Sequence, residues 1–238
     1  MAYADFRRGN SRFGSAADAS TDARADFIRL TYLHLGGAIL AFTALTAALV
    51  NSSFSETMMR ALATSRFSWL LVLGGFMFVG WIAQRWAMSG ASPAMQYAGL
   101  GLYVVAEAVI FVPLLYIASR FAPGAIPAAG IITLSVFGGL TATVLLTKRD
   151  FSFMARALSI AGFAAMGVII TSIIFGFTLG TLFSAAMVVV AAGYVLYQTS
   201  NVLHHYPVGA HVAASLALFS TIALMFWYIL RIVMSLRD

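Results

Sequence analysis

Seven apolar runs separated by short polar gaps constrain this chain more than any other feature. They fall at about 29–51, 67–88, 94–118, 125–147, 154–176, 180–203 and 208–234. A bilayer core about 30 Å thick takes roughly 20 residues of helix to cross. With no water there to pair backbone groups, each run must satisfy its own N–H and C=O groups, and helix is the form that does so. The runs fill nearly all of the 238 residues and leave no room for a folded soluble domain. The expected fold is therefore an all-α integral membrane protein, a bundle of seven transmembrane helices. A composition of 61% hydrophobic and 9% charged residues agrees with that class. Six full crossings followed by a re-entrant last segment is the alternative reading of the apolar pattern.

The charges lie where a bilayer tolerates them. Residues 1–28 carry Arg7, Arg8, Arg12 and Arg24 against Asp5, Asp18, Asp22 and Asp26 among Ala, Ser and Gly, which reads as a disordered tail rather than a cleaved signal. The 29–238 remainder is the transmembrane domain. The tail and the second, fourth and sixth gaps hold Arg7, Arg8, Arg12, Arg24, Arg29, Arg85, Lys148, Arg149 and Arg156, against Arg60, Arg66 and Arg120 in the other gaps. That asymmetry places the N-terminus in the cytoplasm. Topology and anionic lipid headgroups account for the net charge of +6, so no nucleic-acid partner is expected.

A carboxylate within a crossing is a functional candidate by default, because leaving it there is costly. Glu107 is the one such carboxylate, near the middle of the third run in "GLYVVAEAVIFVPLLYIA", with Pro113 after it as a kink signal. It either hydrogen-bonds a Ser or Thr of a neighbouring helix or handles a proton or cation. Arg85, in "GWIAQRWAMSG", is expected to snorkel to the headgroups beside Trp81 and Trp86, and a pairing with Glu107 is the sharper alternative. His34 sits about one turn inside the first run, and His204 and His205 follow the sixth. Without HxxxH or HExxH spacing, and with no cysteine, no metal site is expected. Nor is there a GxSxG or a pair of transmembrane aspartates, so no enzyme and no cofactor are expected. Asp150 precedes the fifth run as a helix N-cap.

Three stretches together carry a resemblance. "TLSVFGGLTATVLLTKRDFSFMARAL", residues 133–158, resembles the loop between the fourth and fifth helices of the Bax inhibitor-1 (TMBIM) family. "TYLHLGGAILAFTALTAALV", 31–50, is similar to its first helix, and "VLYQTSNVLHH" with "VAASLALFSTIALMFWYILRI" to its sixth and seventh. The run Thr199-Ser200-Asn201 followed by Val202, Leu203 and His204 resembles the bacterial inner-membrane branch that modulates a membrane-bound AAA protease. The resemblance implies a seven-helix bundle with the last helix central. It also implies, from other members, a pH-sensitive calcium leak gated by two aspartates of the sixth and seventh helices. Those positions fall on Gln198 and Thr221 here. A close carboxylate pair shares a proton and so senses pH. Gln and Thr do not titrate, though they are expected to keep a hydrogen bond between the two helices.

Two functions follow as expectations. The first is a regulatory protein of a bacterial plasma membrane, acting through contact with a membrane-bound AAA protease. The second is a leak for calcium or protons lined by Glu107, Gln198, Thr199, Asn201, Ser220 and Thr221, weakened by the loss of the aspartates. One glutamate makes a poor calcium site.

Overall fold

The structure, a computed structural model, describes residues 15–65, 67–89 and 92–237. Asp5, Arg7, Arg8, Arg12 and Arg66 lie outside the described residues. Among the described residues eight α-helices follow in order: α1 Thr21–Val50, α2 Ser53–Ala63, α3 Ser68–Ala87, α4 Pro93–Phe121, α5 Ala125–Thr147, α6 Ala155–Phe175, α7 Thr181–His204 and α8 His211–Ser235. All but α2 are long and apolar enough to cross a membrane, α6 together with the turn before it. At 25 residues α8 is long enough for a full crossing, so the re-entrant alternative has no support in its geometry.

Local chemistry sets the ends. Ser92 accepts the Met95 N–H at 3.3 Å with Pro93 in the first turn, an N-cap followed by the residue that needs no N–H partner. Gly176 closes α6 at φ 76°, a backbone state that a side chain would strain. Two ends depart from expectation. Helix α1 starts at Thr21, capped by Ser20, so residues 21–28 extend the first crossing instead of belonging to a disordered tail. Ahead of it, Ala16 is fully buried and its N–H donates to the Tyr206 carbonyl at 2.9 Å, which holds residues 15 and 16 against the α7–α8 loop. The short helix α2 was hidden in a polar gap. Its signals are the Ser52 cap and the exposed Glu56–Arg60 pair at 3.5 Å, one turn apart.

The last crossing is the most buried of the seven and packs against α1, α3, α4, α5 and α7. Helix α6 is the most peripheral, resting mainly on α7. The centre is aromatic. Phe111 meets Phe42 edge-on at 5.1 Å, Trp227 edge-on at 4.9 Å and Phe226 stacked at 5.8 Å, while Phe219 joins Phe42 and Tyr103. These rings tie α1 and α4 to α8. At the end remote from the chain's start, Arg231 donates to the Leu179 carbonyl at 2.7 Å and Arg237 to that of Pro123. They fasten the α6–α7 and α4–α5 loops to the end of α8.

Candidate functional site

Glu107 is buried, 6% exposed, on the α4 face turned to the bundle rather than to lipid. One turn before it on the same face, the Tyr103 hydroxyl lies near both the Glu107 carboxyl and the Ser220 hydroxyl of α8. Ser220 Oγ in turn donates to the Ala217 carbonyl at 2.9 Å. A neutral Glu107 can donate a hydrogen bond to the Tyr103 oxygen and an ionised one can accept from its hydroxyl, so one hydroxyl rotation serves both states.

Ser220 also lines a cavity of about 140 Å³, shared with Gln84 and Met88 near the end of α3, Gln198 of α7, Tyr206 and Ala213. Such a volume holds a few waters, and its amide and hydroxyl groups give each of them partners. Depth along the helices orders these groups. At 1.5 Å per residue from the helix ends on the N-terminal side, Gln84 lies about 4.5 Å in, Gln198 about 9 Å, Ser220 about 13.5 Å, Tyr103 about 15 Å and Glu107 about 21 Å. The polar groups thus descend from that face to mid-membrane, where Phe111, one turn beyond Glu107, meets the aromatic cluster.

The other expected lining residues are turned elsewhere. Asn201 Nδ2 donates to Gln198 Oε1 at 3.4 Å, and Thr221 Oγ1 to the Ala217 carbonyl at 2.9 Å within its own helix. The hydrogen bond expected between Gln198 and Thr221 is therefore not made, because both groups are engaged within their own helices. Ser220, not Thr221, shares the cavity with Gln198. Thr199 is fully buried, and its hydroxyl sits near those of Tyr32 and Thr141 without a hydrogen-bond partner for any of the three. Arg85 does not meet Glu107. Its guanidinium stacks on Trp81 at 4.6 Å, two residues from the end of α3, while Glu107 lies about 21 Å deep in α4.

Asp150 makes a different contact from the cap expected of it. Helix α6 has Met154 at its N-cap position with no side-chain hydrogen bond, because a 3₁₀ turn, Ser152–Met154, intervenes. Asp150 Oδ1 accepts the Ser152 N–H at 2.8 Å and the Ser200 hydroxyl at 3.1 Å, and Oδ2 meets His205 Nε2 at 3.2 Å. Ser200 Oγ also accepts the Phe151 N–H at 2.8 Å. The α5–α6 loop is thereby pinned to the end of α7, beside the cavity residue Tyr206. Partial burial raises the Asp150 carboxyl, but the Ser152 N–H and hydroxyl, Ser200 and His205 outweigh it and hold it at about 2.

Sequence reasoning missed Gln84, Tyr103 and Tyr206. Tyr103 was accessible through its four-residue spacing from Glu107. Gln84 and Tyr206 enter the site only through helix packing, which leaves no local signal. Among the described residues no three His, Asp or Glu side chains come together as metal ligands.

Comparison with known proteins bears on the whole arrangement. The chain is 32% identical over 108 residues to an uncharacterised protein of Pseudomonas aeruginosa, covering 45% of this chain and 48% of the relative. It is 33% identical over 112 residues to Bax inhibitor 1 of Schizosaccharomyces pombe, covering 45% and 41%. A Golgi anti-apoptotic protein of vaccinia virus is 30% identical over 109 residues, 44% of each chain. The matched stretch spans less than half the length of each of these relatives. A family model described as "Inhibitor of apoptosis-promoting Bax1" matches residues 24–238. The region it matches holds all but the first three residues of the seven crossings, with both the buried Glu107 and the Asp150 contact, and on it the chain belongs to the Bax inhibitor-1 family.

Proposed function

We propose that this multi-pass membrane protein is a proton-responsive leak whose titrating group is Glu107, and that it is not an enzyme. The observation that carries the reading is the burial of Glu107 beside Tyr103, whose hydroxyl also lies near Ser220 of the polar cavity. A carboxyl placed there by packing alone would be an expensive filler, whereas one with the Tyr103 and Ser220 hydroxyls between it and a cavity wide enough for water can exchange a proton with one face. Phe111, Phe226 and Trp227 close the other side, so the arrangement supports a shut state with access from one face. With one carboxylate and no second acidic partner at Gln198 or Thr221, protons or monovalent cations suit the path better than calcium. The excess of Lys and Arg beside the open face supports a cytoplasmic N-terminus, and the likeness to a Pseudomonas aeruginosa protein supports a bacterial plasma membrane.

The second reading is regulation through contact with a membrane-bound AAA protease. It draws on the Thr199, Ser200 and Asn201 motif, yet all three side chains are buried within the bundle. A partner would have to meet the helix ends and the residues before α1 instead.

The test is proton and calcium flux into proteoliposomes at pH 6 and 8. The wild type is expected to pass protons and Glu107→Gln to lose that flux, while Phe111→Ala, which thins the aromatic closure, raises it. Glu107→Gln conducting as the wild type does would remove Glu107 from the path. A wild type silent to both ions at both pH values would favour the regulatory reading.

A further inference from the structure

A second site lies away from the polar line, on the lipid-facing side of α1 and α4. A groove of about 620 Å³ runs between these helices, floored by Gly37, Ala38, Gly101 and Val104. A methyl group added at Gly37 or Gly101 would meet nothing within 4 Å, so the two glycines leave an open channel rather than a close helix contact. On α1 the groove extends from Leu33 to Leu45, about 18 Å at 1.5 Å per residue, which is close to the roughly 15 Å depth of one leaflet's hydrocarbon.

Its two ends differ in chemistry. The inner end is apolar, at Leu45 and Val105. At the end nearer the chain's start, His34 Nε2 faces the Tyr97 hydroxyl at 3.1 Å while His34 Nδ1 is held by the Leu30 carbonyl at 2.7 Å. His211, the first residue of α8, lies against the His34 ring at 5.0 Å. Arg29 is one turn before Leu33 on the same face of α1, and its exposed guanidinium has no ion pair or hydrogen bond among the described residues. Asp26, one turn further out, does not reach it.

An apolar slot one leaflet deep, headed by an unpaired cation and the His211 imidazole, is complementary to an amphiphile with an anionic head. We propose that this groove binds one acyl chain of an anionic phospholipid, with its phosphate at Arg29 and His211. A neutral or zwitterionic lipid would fill the slot equally well but leave the guanidinium without a net counter-charge.

The experiment is native mass spectrometry of the full chain, released from detergent after equilibration with phosphatidylglycerol or with phosphatidylcholine. The wild type is expected to retain one phosphatidylglycerol in preference to phosphatidylcholine. Arg29→Gln, a change at an exposed position, is expected to reduce that preference about fivefold, the worth of one basic residue near an anionic headgroup. Gly37→Leu and Gly101→Leu, which fill the slot, are expected to abolish retention of either lipid, with circular dichroism showing the helices intact. Equal retention of the two lipids by the wild type would overturn the proposal, as would unchanged phosphatidylglycerol retention in both leucine variants or in Arg29→Gln. Loss of a dimer in the leucine variants, with lipid retention unaltered, would assign the groove to a second copy of the chain.

Discussion

Adding one methyl group at Gly99 should separate α3 from α4, and the neighbouring glycine supplies the control. A Cβ built on Gly99 would lie 2.5 Å from the Ala83 carbonyl oxygen, 2.6 Å from the Ala87 nitrogen and 3.0 Å from Trp86 Cβ. Two of these atoms are backbone and cannot swing away. Ordinary contact begins at 3.4 Å, so the helices must part by about 0.9 Å locally (3.4 − 2.5). Overpacking of this kind typically costs about 1–3 kcal/mol. Gly101, two residues on, faces open space, and its replacement by alanine gains helix propensity, about 1 kcal/mol, with no clash. Both substitutions share that gain, so the difference between Gly99→Ala and Gly101→Ala isolates the interhelical term at about 1–3 kcal/mol. The assay is reversible unfolding of the purified protein in mixed micelles of rising dodecyl sulfate fraction. Gly99→Ala should unfold at a lower fraction than the wild type and Gly101→Ala at the same or a higher one. Because Gln84 sits on the α3 face next to this contact, proton flux should fall in Gly99→Ala as well. If the two variants unfold together, the α3–α4 contact is not the tight one that this geometry requires.

The Asp150 carboxyl, held at about 2 against an ordinary value of 3.8, contributes stability that is fully present above about pH 4 and is lost as pH falls through 2. Asp150→Asn should therefore flatten the acid limb of the thermal midpoint between pH 4 and 2, by a small amount because the group is largely exposed and screened; an unchanged acid limb would refute the linkage. Thr199→Val removes a buried hydroxyl that has no partner, so its stability should equal or exceed that of the wild type by up to about 1 kcal/mol, whereas Ser200→Ala leaves the Phe151 N–H unpaired and should cost about 1–3 kcal/mol. The unfolding midpoints of the two variants, measured side by side, check that ordering, and a destabilised Thr199→Val would mean that water bridges the Tyr32, Thr141 and Thr199 hydroxyls.

The crossings were legible in the sequence because bilayer thickness imposes a length and an apolar composition on each, and the expected limits of the second to seventh lie within about three residues of the helices observed. Glu107 was legible for the same reason, as a carboxyl where the solvent tolerates none. What surrounds it was not. Gln84, Gln198, Ser220 and Tyr103 come from four helices whose facing sides depend on rotation and packing, and nearly uniform hydrophobicity in a membrane helix leaves no polar stripe to reveal them. Only the tertiary structure decided that Arg85 stays at the surface, that Thr221 bonds its own helix while Ser220 faces the cavity, and that Asp150 binds Ser200 and His205 fifty and more residues away. Sequence alone determined which segments enter the bilayer, since that is a transfer between solvents counted residue by residue. Which side chains meet inside it is settled by contacts between helices, where a rotation of one residue, 100°, exchanges a lining group for a packed one.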